Sequence, residues 1–255
     1  MAKKKKLANV TLAESRLMIG EHLNFAASEA YKLLRTNLTF SLPDGSGCKI
    51  FGVTSALRGE GKSTTSVNIA YTMAQTGKRV LLLEADLRLP TVAKRLKLHS
   101  KPGISNLLAG QCSGGDVLQN SGLLDNLTVI TAGDIPPNPA ELLGSEQMSS
   151  MMRVLAKAYD IIVVDLPPIS VVSDALMLSK LVNGMVIVVR QEYCDKASLD
   201  EVIKQLKFVD AKILGFVLTC SDLQQKSGKY GKYGKYGKYS KGYTYAASYG
   251  GEAAE

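Results

Sequence analysis

The feature that most constrains the fold is a series of short apolar runs that alternate with helix-like segments. Six runs are rich in aliphatic side chains: residues 49–55, 79–86, 127–133, 160–165, 184–191 and 211–219. Nearly continuous apolar runs are typical of strands that helices cover on both faces, whereas strands with one wet face alternate in polarity. The sequence therefore predicts an α/β fold with a doubly wound, mostly parallel sheet and helices on both faces.

The segments between the runs carry helix start and stop signals. Ser28 is a candidate N-cap for a helix over residues 28–41, which a turn cluster ends. Gly77 is expected to stop the helix that follows the first strand. Pro139 suits the first turn of a single long helix that extends to residue 159.

Composition divides the chain into three parts. Residues 1–27 are weakly patterned and are expected to form an N-terminal arm. Residues 28–223 hold the strand–helix alternation and are expected to form one folded domain. Gly, Lys, Tyr and Ser dominate residues 224–255, which are expected to form a disordered tail.

The net charge of +8 belongs to the two ends of the chain. Residues 1–6 and 226–255 carry this excess of lysine, so the body is formally neutral and nucleic acid is not an expected partner. The ends are either solvated tails or segments attracted to anionic lipid or to an acidic partner. Four scattered cysteines, no zinc-ligand spacing and no membrane-length apolar run predict a cytoplasmic protein.

The segment ALRGEGKST, residues 56–64, lies directly between a predicted strand and a predicted helix. This context is typical of a P-loop, in which glycines let backbone N–H groups surround phosphate oxygens at a helix N-terminus. Ala56 stands where the usual pattern has its first glycine, and the alternative is an ordinary glycine turn. A P-loop would use ATP and Mg²⁺ as cofactors. The predicted nucleotide-binding residues are Arg58, Gly59, Glu60, Gly61, Lys62, Ser63 and Thr64.

Acidic residues end two of the predicted strands. Asp165 ends one of them, where a carboxylate can hold Mg²⁺ through water. Glu84 and Asp86 end another and, being two residues apart, share one side of the strand. Arg88 follows them. At the carboxyl edge of a parallel sheet these groups would face a nucleotide crevice, whereas Asp174 is expected to cap a helix.

Together these motifs resemble those of bacterial protein-tyrosine kinases (BY-kinases) of the capsule and exopolysaccharide type. RGEGKST resembles their Walker A motif, DIIVVDLPP their Walker B motif, and VLLLEADLR their Walker A′ motif, normally Asp-x-Asp-x-Arg. GDIPPNPAELL, residues 133–143, resembles their Pro-Pro-Asn-Pro segment. The likeness runs from about residue 28 to the end of the chain, in the form in which the cytosolic catalytic domain is a separate polypeptide. It implies a P-loop NTPase fold of the MinD/ParA-like group.

The resemblance also implies site roles for ATP-dependent phosphorylation of tyrosine. Lys62, Asp86, Glu84 and Arg88 would be catalytic, with Asp86 accepting the phenol proton. Ser63 and Asp165, with Glu84 or Asp86, would hold Mg²⁺. Glu84 departs from the family pattern, which has aspartate there. Thr219 and Cys220 also depart from it, because an Asn-Lys pair that helps to hold the base often stands there.

Two further features fit the family. Glu29, Lys32 and Arg35 match a helix through which these kinases assemble ring-shaped homo-oligomers; the alternative is a solvated helix face. The tail would supply the tyrosines that the kinase phosphorylates on itself, in trans. The predicted phosphorylation sites are Tyr230, Tyr233, Tyr236, Tyr239, Tyr243, Tyr245 and Tyr249.

Partners and competing functions follow from the same resemblance. It implies an activating membrane polysaccharide co-polymerase, which would recruit the kinase to the inner face of the cell membrane, and a cognate tyrosine phosphatase. One alternative is a MinD/ParA-like ATPase switch, but Leu57 stands where those proteins have a signature lysine. Another is a catalytically weak scaffold of the polysaccharide machinery.

Overall fold

A computed structural model describes residues 18–41 and 47–220 of the chain. Seven strands form one sheet in the order β3–β4–β2–β5–β1–β6–β7. The strands are β1 Lys49–Ser55, β2 Val80–Glu84, β3 Gln119–Asn120, β4 Leu127–Ile130, β5 Ile161–Asp165, β6 Gly184–Arg190 and β7 Ile213–Thr219. All six predicted strands are present and pair parallel with one another, which confirms the predicted fold class. The short, polar β3 was not predicted, and it pairs antiparallel with β4.

The sheet is covered on both faces, as its continuous apolar strands require. Leu81 and Leu83 of β2 pack in one core cluster, and Leu82 packs in the other. This alternation comes from the pleat, which sends successive side chains to opposite faces. Gly52 in β1 allows close packing, because a Cβ there would lie 2.6 Å from the side chains of Leu166 and Met185.

Eight α-helices connect or flank the described strands. They are α1 Phe25–Ser41, α2 Lys62–Ala74, α3 Val92–Leu96, α4 Ile104–Leu108, α5 Pro139–Leu143, α6 Glu146–Ala158, α7 Asp174–Met177 and α8 Lys196–Phe208. Short 3₁₀ turns occupy Gly20–His22 and Leu178–Leu181. Helices α1 and α2 contribute to one core cluster, and α6 and α8 contribute to the other.

Two predicted helix boundaries are wrong. Helix α1 begins at Phe25, where the side chain of Asn24 accepts a hydrogen bond from the N–H of Ala27, so Ser28 lies inside the helix. The single helix predicted after Pro139 is two helices, α5 and α6. Ser145 starts the second, because its hydroxyl accepts a hydrogen bond from the N–H of Met148.

Part of the predicted N-terminal arm packs on the domain. Ile19 is buried, and the side-chain amide of Asn68 in α2 bonds to the backbone on both sides of it. Its oxygen accepts from the N–H of Gly20, and its nitrogen donates to the carbonyl of Met18. Residues 18–27 therefore extend the folded unit beyond the predicted start at residue 28. The predicted disordered tail lies outside the described residues.

Candidate active site

The P-loop, residues 56–64, connects β1 to α2 as predicted. Gly59 and Gly61 have φ angles of +81° and +92°, a conformation that side-chain-bearing residues rarely adopt. Lys62 is the first residue of α2, so the loop ends at the N-terminus of a helix of 13 residues. Backbone N–H groups and the helix dipole both favour an anion at such a position.

Glu60 braces the P-loop from inside. Its side chain is buried, and its two oxygens accept hydrogen bonds from the backbone N–H groups of Leu57, at 2.6 Å, and Arg190, at 3.2 Å. Arg190 in turn donates to the carbonyl of Gly59, and the hydroxyl of Thr219 donates to the carbonyl of Glu60. The Glu60 side chain therefore shapes the loop and ties it to the end of β6, and the Glu60 carbonyl ties it to the end of β7.

Arg190 was missed as a site residue because it only ends an apolar strand in the sequence, and Thr219 was noted only as a departure from the family's base-holding pair. Both line a cleft of about 1060 Å³ that runs from the P-loop along α1 and the end of β7. Thr64, Tyr193 and Cys220 line the same cleft. Arg58, which was predicted to bind nucleotide, is exposed.

Lys62 and Asp86 form a buried ion pair. Lys62 Nζ lies 2.6 Å from Asp86 Oδ2, and the side chains are 13% and 4% exposed. Burial opposes the charge on Lys62, but the carboxylates of Asp165 and Asp86 outweigh it, and the pKa of Lys62 is raised. The structure thus brings a P-loop lysine and a Walker A′ carboxylate together from two separate strand ends.

Asp165 lies at the end of β5 beside the first turn of α2. It is fully buried, and its Oδ1 accepts a hydrogen bond of 2.9 Å from the hydroxyl of Ser66. Burial raises the pKa of Asp165, while the charge of Lys62 and hydrogen bonding by Ser63 lower it. Its Oδ2 has no hydrogen-bond partner among the described residues.

This oxygen and the Ser63 hydroxyl are ligands of the kind that Mg²⁺ prefers. Among the described residues, no three His, Cys, Asp or Glu side chains converge as a metal site. Such a site fits an ion that takes most of its ligands from phosphate groups and water. The residues therefore fit Mg²⁺ held together with a nucleotide.

Glu84 is directed away from this group. One carboxylate oxygen accepts hydrogen bonds from the N–H groups of Thr91 and Val92, and the other accepts one from Ala132. The side chain is fully buried, and burial raises its pKa to about 7. Glu84 thus ties α3 and the end of β4 to β2, and the geometry gives no support to its predicted catalytic and metal roles.

Arg88 is held by Asp174, the first residue of α7. Its Nε and Nη2 donate to the two oxygens of that fully buried carboxylate, at 2.8 and 3.0 Å. A bidentate pair of this kind fixes the plane of the guanidinium. The prediction that Asp174 caps a helix is wrong, because Ser173 occupies the N-cap position.

The predicted oligomerisation residues lie on α1. Glu29 and Lys32 pair with each other at 2.7 Å, and both are more than 40% exposed. Arg35 instead donates a hydrogen bond of 2.9 Å to the carbonyl of Thr72 in α2. The seven predicted phosphorylation sites in the tail lie outside the described residues. No helix in the described part of the chain has the length and hydropathy to cross a bilayer.

Residues 48–216 match a family model described as an AAA domain. YwqD of Bacillus subtilis, named a tyrosine-protein kinase, is 39% identical over 200 residues, which are 78% of this chain and 84% of YwqD. CapB of Staphylococcus aureus is 33% identical over 230 residues, which are 90% of this chain and 97% of CapB.

Solved structures agree with these relatives. The kinase domain of the Escherichia coli tyrosine kinase ETK has a TM-score of 0.74 at 29% identity, covering 86% of this chain and 84% of that one. A chimerical protein, CapA2B2, has a TM-score of 0.75 at 31% identity, covering 80% and 89%. MinD of Pyrococcus horikoshii, at 21% identity and a TM-score of 0.57, covers 67% and 70% and shares the fold. By these likenesses, the chain belongs to the bacterial tyrosine-protein kinases and is a protein-tyrosine kinase.

Proposed function

We propose that this kinase transfers the γ-phosphoryl group of ATP to tyrosines of its own C-terminal tail, between subunits, and thereby regulates capsule or exopolysaccharide synthesis. The observation that carries the proposal is the buried Lys62–Asp86 pair at the P-loop. It puts a cation for the β- and γ-phosphates beside a carboxylate that can take a proton. A MinD-like nucleotide switch would not need such a carboxylate, because it has no phenol to deprotonate.

Each group has a distinct part in this transfer. The tyrosine oxygen forms a bond to the γ-phosphorus, the bond from that phosphorus to the β–γ bridging oxygen breaks, and ADP leaves. Asp86 accepts the phenol proton, and Lys62 neutralises charge on the phosphates. Ser63 and Asp165 would hold Mg²⁺, which would supply further charge neutralisation. Arg88, fixed by Asp174, is a positioning residue at this edge of the sheet.

The end of β7 supports phosphorylation between subunits. β7 runs parallel to β6, so Thr219 lies beside the P-loop, and its hydroxyl donates to the carbonyl of Glu60 at 2.8 Å. Tyr230 follows about ten residues later, and a Gly-rich chain of that length spans on average about 17–19 Å. Presenting a phenol in line with the γ-phosphate of the same subunit is strained at that reach. A neighbouring subunit is the better acceptor.

A mixing experiment tests the direction of transfer. Lys62→Met protein with an intact tail is incubated with ATP, Mg²⁺ and active protein that lacks residues 226–255, and phosphotyrosine is mapped by mass spectrometry. Label is expected on the inactive partner. If wild-type protein labels itself normally while the inactive partner stays unlabelled, transfer between subunits is refuted.

Self-association through α1 completes the proposal. Glu29, Lys32 and Arg35 would contact a neighbouring subunit head to tail, and such contacts close into a ring. Phosphate on the tail would then loosen the ring by like-charge repulsion. Light scattering of the triple-alanine variant tests the interface, and an unchanged mass would contradict it.

The proposal includes two further partners. The name of the chimerical protein CapA2B2 joins a component A to a component B, which supports a kinase that works with another chain. We infer that this chain is recruited to the inner face of the membrane by a polysaccharide co-polymerase. A cognate tyrosine phosphatase would reverse its phosphorylation.

A further inference from the structure

Arg95 lines the cleft beside the P-loop and has no acidic partner among the described residues. It lies on α3, and its side chain is half-buried. Within the described residues its side chain donates one hydrogen bond, from Nε to the hydroxyl of Thr91, at a long 3.4 Å. No carboxylate within residues 18–41 and 47–220 forms an ion pair with it, whereas Arg88 on the same connection is paired bidentately.

The cleft that Arg95 lines is also lined by P-loop residues on both sides of Lys62 and Ser63, although neither of those two residues lines it. Gly59, Gly61 and Thr64 share it. Thr65 lines it too, and its buried hydroxyl has no hydrogen-bond partner among the described residues. An unpaired guanidinium and an unpaired hydroxyl in one cleft indicate a polar ligand, because such groups are usually satisfied when they leave water.

The carboxylates whose charges act on Arg95 are hydrogen-bonded to other groups. Burial lowers the pKa of its guanidinium, and the negative charges of Asp165 and Glu84 act in the opposite direction. These carboxylates are engaged elsewhere, Glu84 by three backbone N–H groups and Asp165 by Ser66. Arg95 therefore keeps all but one of its donors for a group that enters the cleft.

Glu84 sets the position of Arg95. Its carboxylate binds the N–H groups of Thr91 and Val92, which begin α3, and Arg95 follows one turn later. The extra methylene of Glu84, relative to the aspartate of the family pattern, is the part of the side chain that carries the carboxylate to α3. Glu84 is thus a positioning residue for the helix that bears Arg95.

We propose that Arg95 binds a phosphate group in this cleft, the terminal phosphate of the bound nucleoside triphosphate, as a cation additional to Lys62. The proposal rests on the ATP-dependent kinase function proposed above. A phosphotyrosine of the tail offers the same chemistry, and the experiment separates the two sources. Arg suits this task because its planar fork matches phosphate oxygens.

The test compares Arg95→Met with Lys157→Met, a control that removes an exposed lysine of α6 which does not line the cleft. Calorimetry measures the affinity of full-length protein for a non-hydrolysable ATP analogue with Mg²⁺, for ADP with Mg²⁺, and for a phosphotyrosyl peptide of the tail sequence. Arg95→Met should weaken the analogue about 10- to 100-fold, as expected for a charge-assisted hydrogen bond. ADP should bind within about threefold of wild type, and the control should change neither affinity.

Ligand-free stability gives a second readout. Because Arg95→Met removes a desolvated charge, its Tm should rise by about 2–4 °C. A lower Tm together with equal losses for ADP and the analogue would show a structural role and overturn the proposal. Unchanged affinity for every ligand would do the same.

Three outcomes show whether the assigned ligand, the proposed function or the role of Arg95 is wrong. Loss of phosphopeptide binding alone would refute the nucleotide phosphate as the source and assign the site to phosphotyrosine. If wild-type protein fails to bind the ATP analogue, the proposed ATP-dependent function itself fails. If wild type binds and Arg95→Met binds equally, only the role of Arg95 is refuted.

Discussion

Two lysine–carboxylate pairs in this protein have nearly equal separations and very different surroundings. Lys62 lies 2.6 Å from Asp86 with side chains that are 13% and 4% exposed, and Lys32 lies 2.7 Å from Glu29 with side chains that are 43% and 44% exposed. Water screens the second pair and is largely excluded from the first. The comparison teaches that burial, and not the distance between the charges, decides how strongly the two charges of an ion pair interact.

The two pairs also differ in their origin. Glu29 and Lys32 are one helical turn apart, so any helix with this sequence would form their contact. Lys62 begins α2 after β1, Asp86 follows β2, and only the folded sheet brings them together. A buried pair of this kind adds little net stability. The fold instead keeps both charged groups in position to bind a ligand.

The largest expected effect is the loss of phosphotransfer in Lys62→Met. No other described cation is as close to Asp86, so tyrosine phosphorylation should fall by a factor of about 10³ or more. Phosphotyrosine formation with ATP and Mg²⁺ measures it. Lys157→Met, which removes an exposed lysine of α6, is the control and should keep wild-type activity. Near-normal labelling of Lys62→Met would show that the buried pair is not the functional one.

A smaller effect is expected from Glu84→Asp. The shorter side chain cannot reach all three backbone N–H groups of Thr91, Val92 and Ala132, so the free energy of unfolding should fall by about 1–3 kcal/mol. Urea denaturation measures the change. Glu146→Asp, which shortens an exposed side chain of α6, is the matched control, and its free energy of unfolding should stay within about 0.5 kcal/mol of wild type. Equal stability of Glu84→Asp would mean that these hydrogen bonds do not position α3.

The smallest effects are expected for two substitutions on α1, Arg35→Ala and Lys32→Ala. Arg35→Ala loses the hydrogen bond to the carbonyl of Thr72 and should cost about 1 kcal/mol of unfolding free energy. Lys32→Ala loses only the exposed pair with Glu29 and should cost a few tenths, about 0.3 kcal/mol. Both are measured by urea denaturation at low salt. A cost for Lys32→Ala as large as that for Arg35→Ala would break the comparison.

Much of the fold could be predicted because its signals are local. Apolar runs with strand length predicted six strands, and their continuity predicted a parallel sheet with two covered faces. β3 escaped prediction because Gln119 and Asn120 have neither apolar character nor length. The break between α5 and α6 escaped because Ser145 reads as an ordinary helix residue until its hydroxyl is seen to cap α6.

The site could be predicted where its residues follow one another in the sequence. It could not be predicted where residue roles depend on contacts between separate segments. Gly59, Gly61 and Lys62 follow one another between a strand and a helix, so their spacing alone indicates phosphate binding. Glu84 and Asp86 look equivalent in the sequence because they are two residues apart on one strand. In the fold, Asp86 meets Lys62 and Glu84 meets the N–H groups of α3.

The sequence by itself determined the class of fold, the phosphate-binding loop and the acidic strand ends, because hydrophobic period and motif spacing are written along the chain. Only the tertiary structure decided which carboxylate faces the nucleotide site, which arginine is paired and which is left without an acid. Those outcomes depend on contacts between residues that are far apart in sequence, as between Arg88 and Asp174. Arg95, which has no ion-pair partner among the described residues, became visible for the same reason.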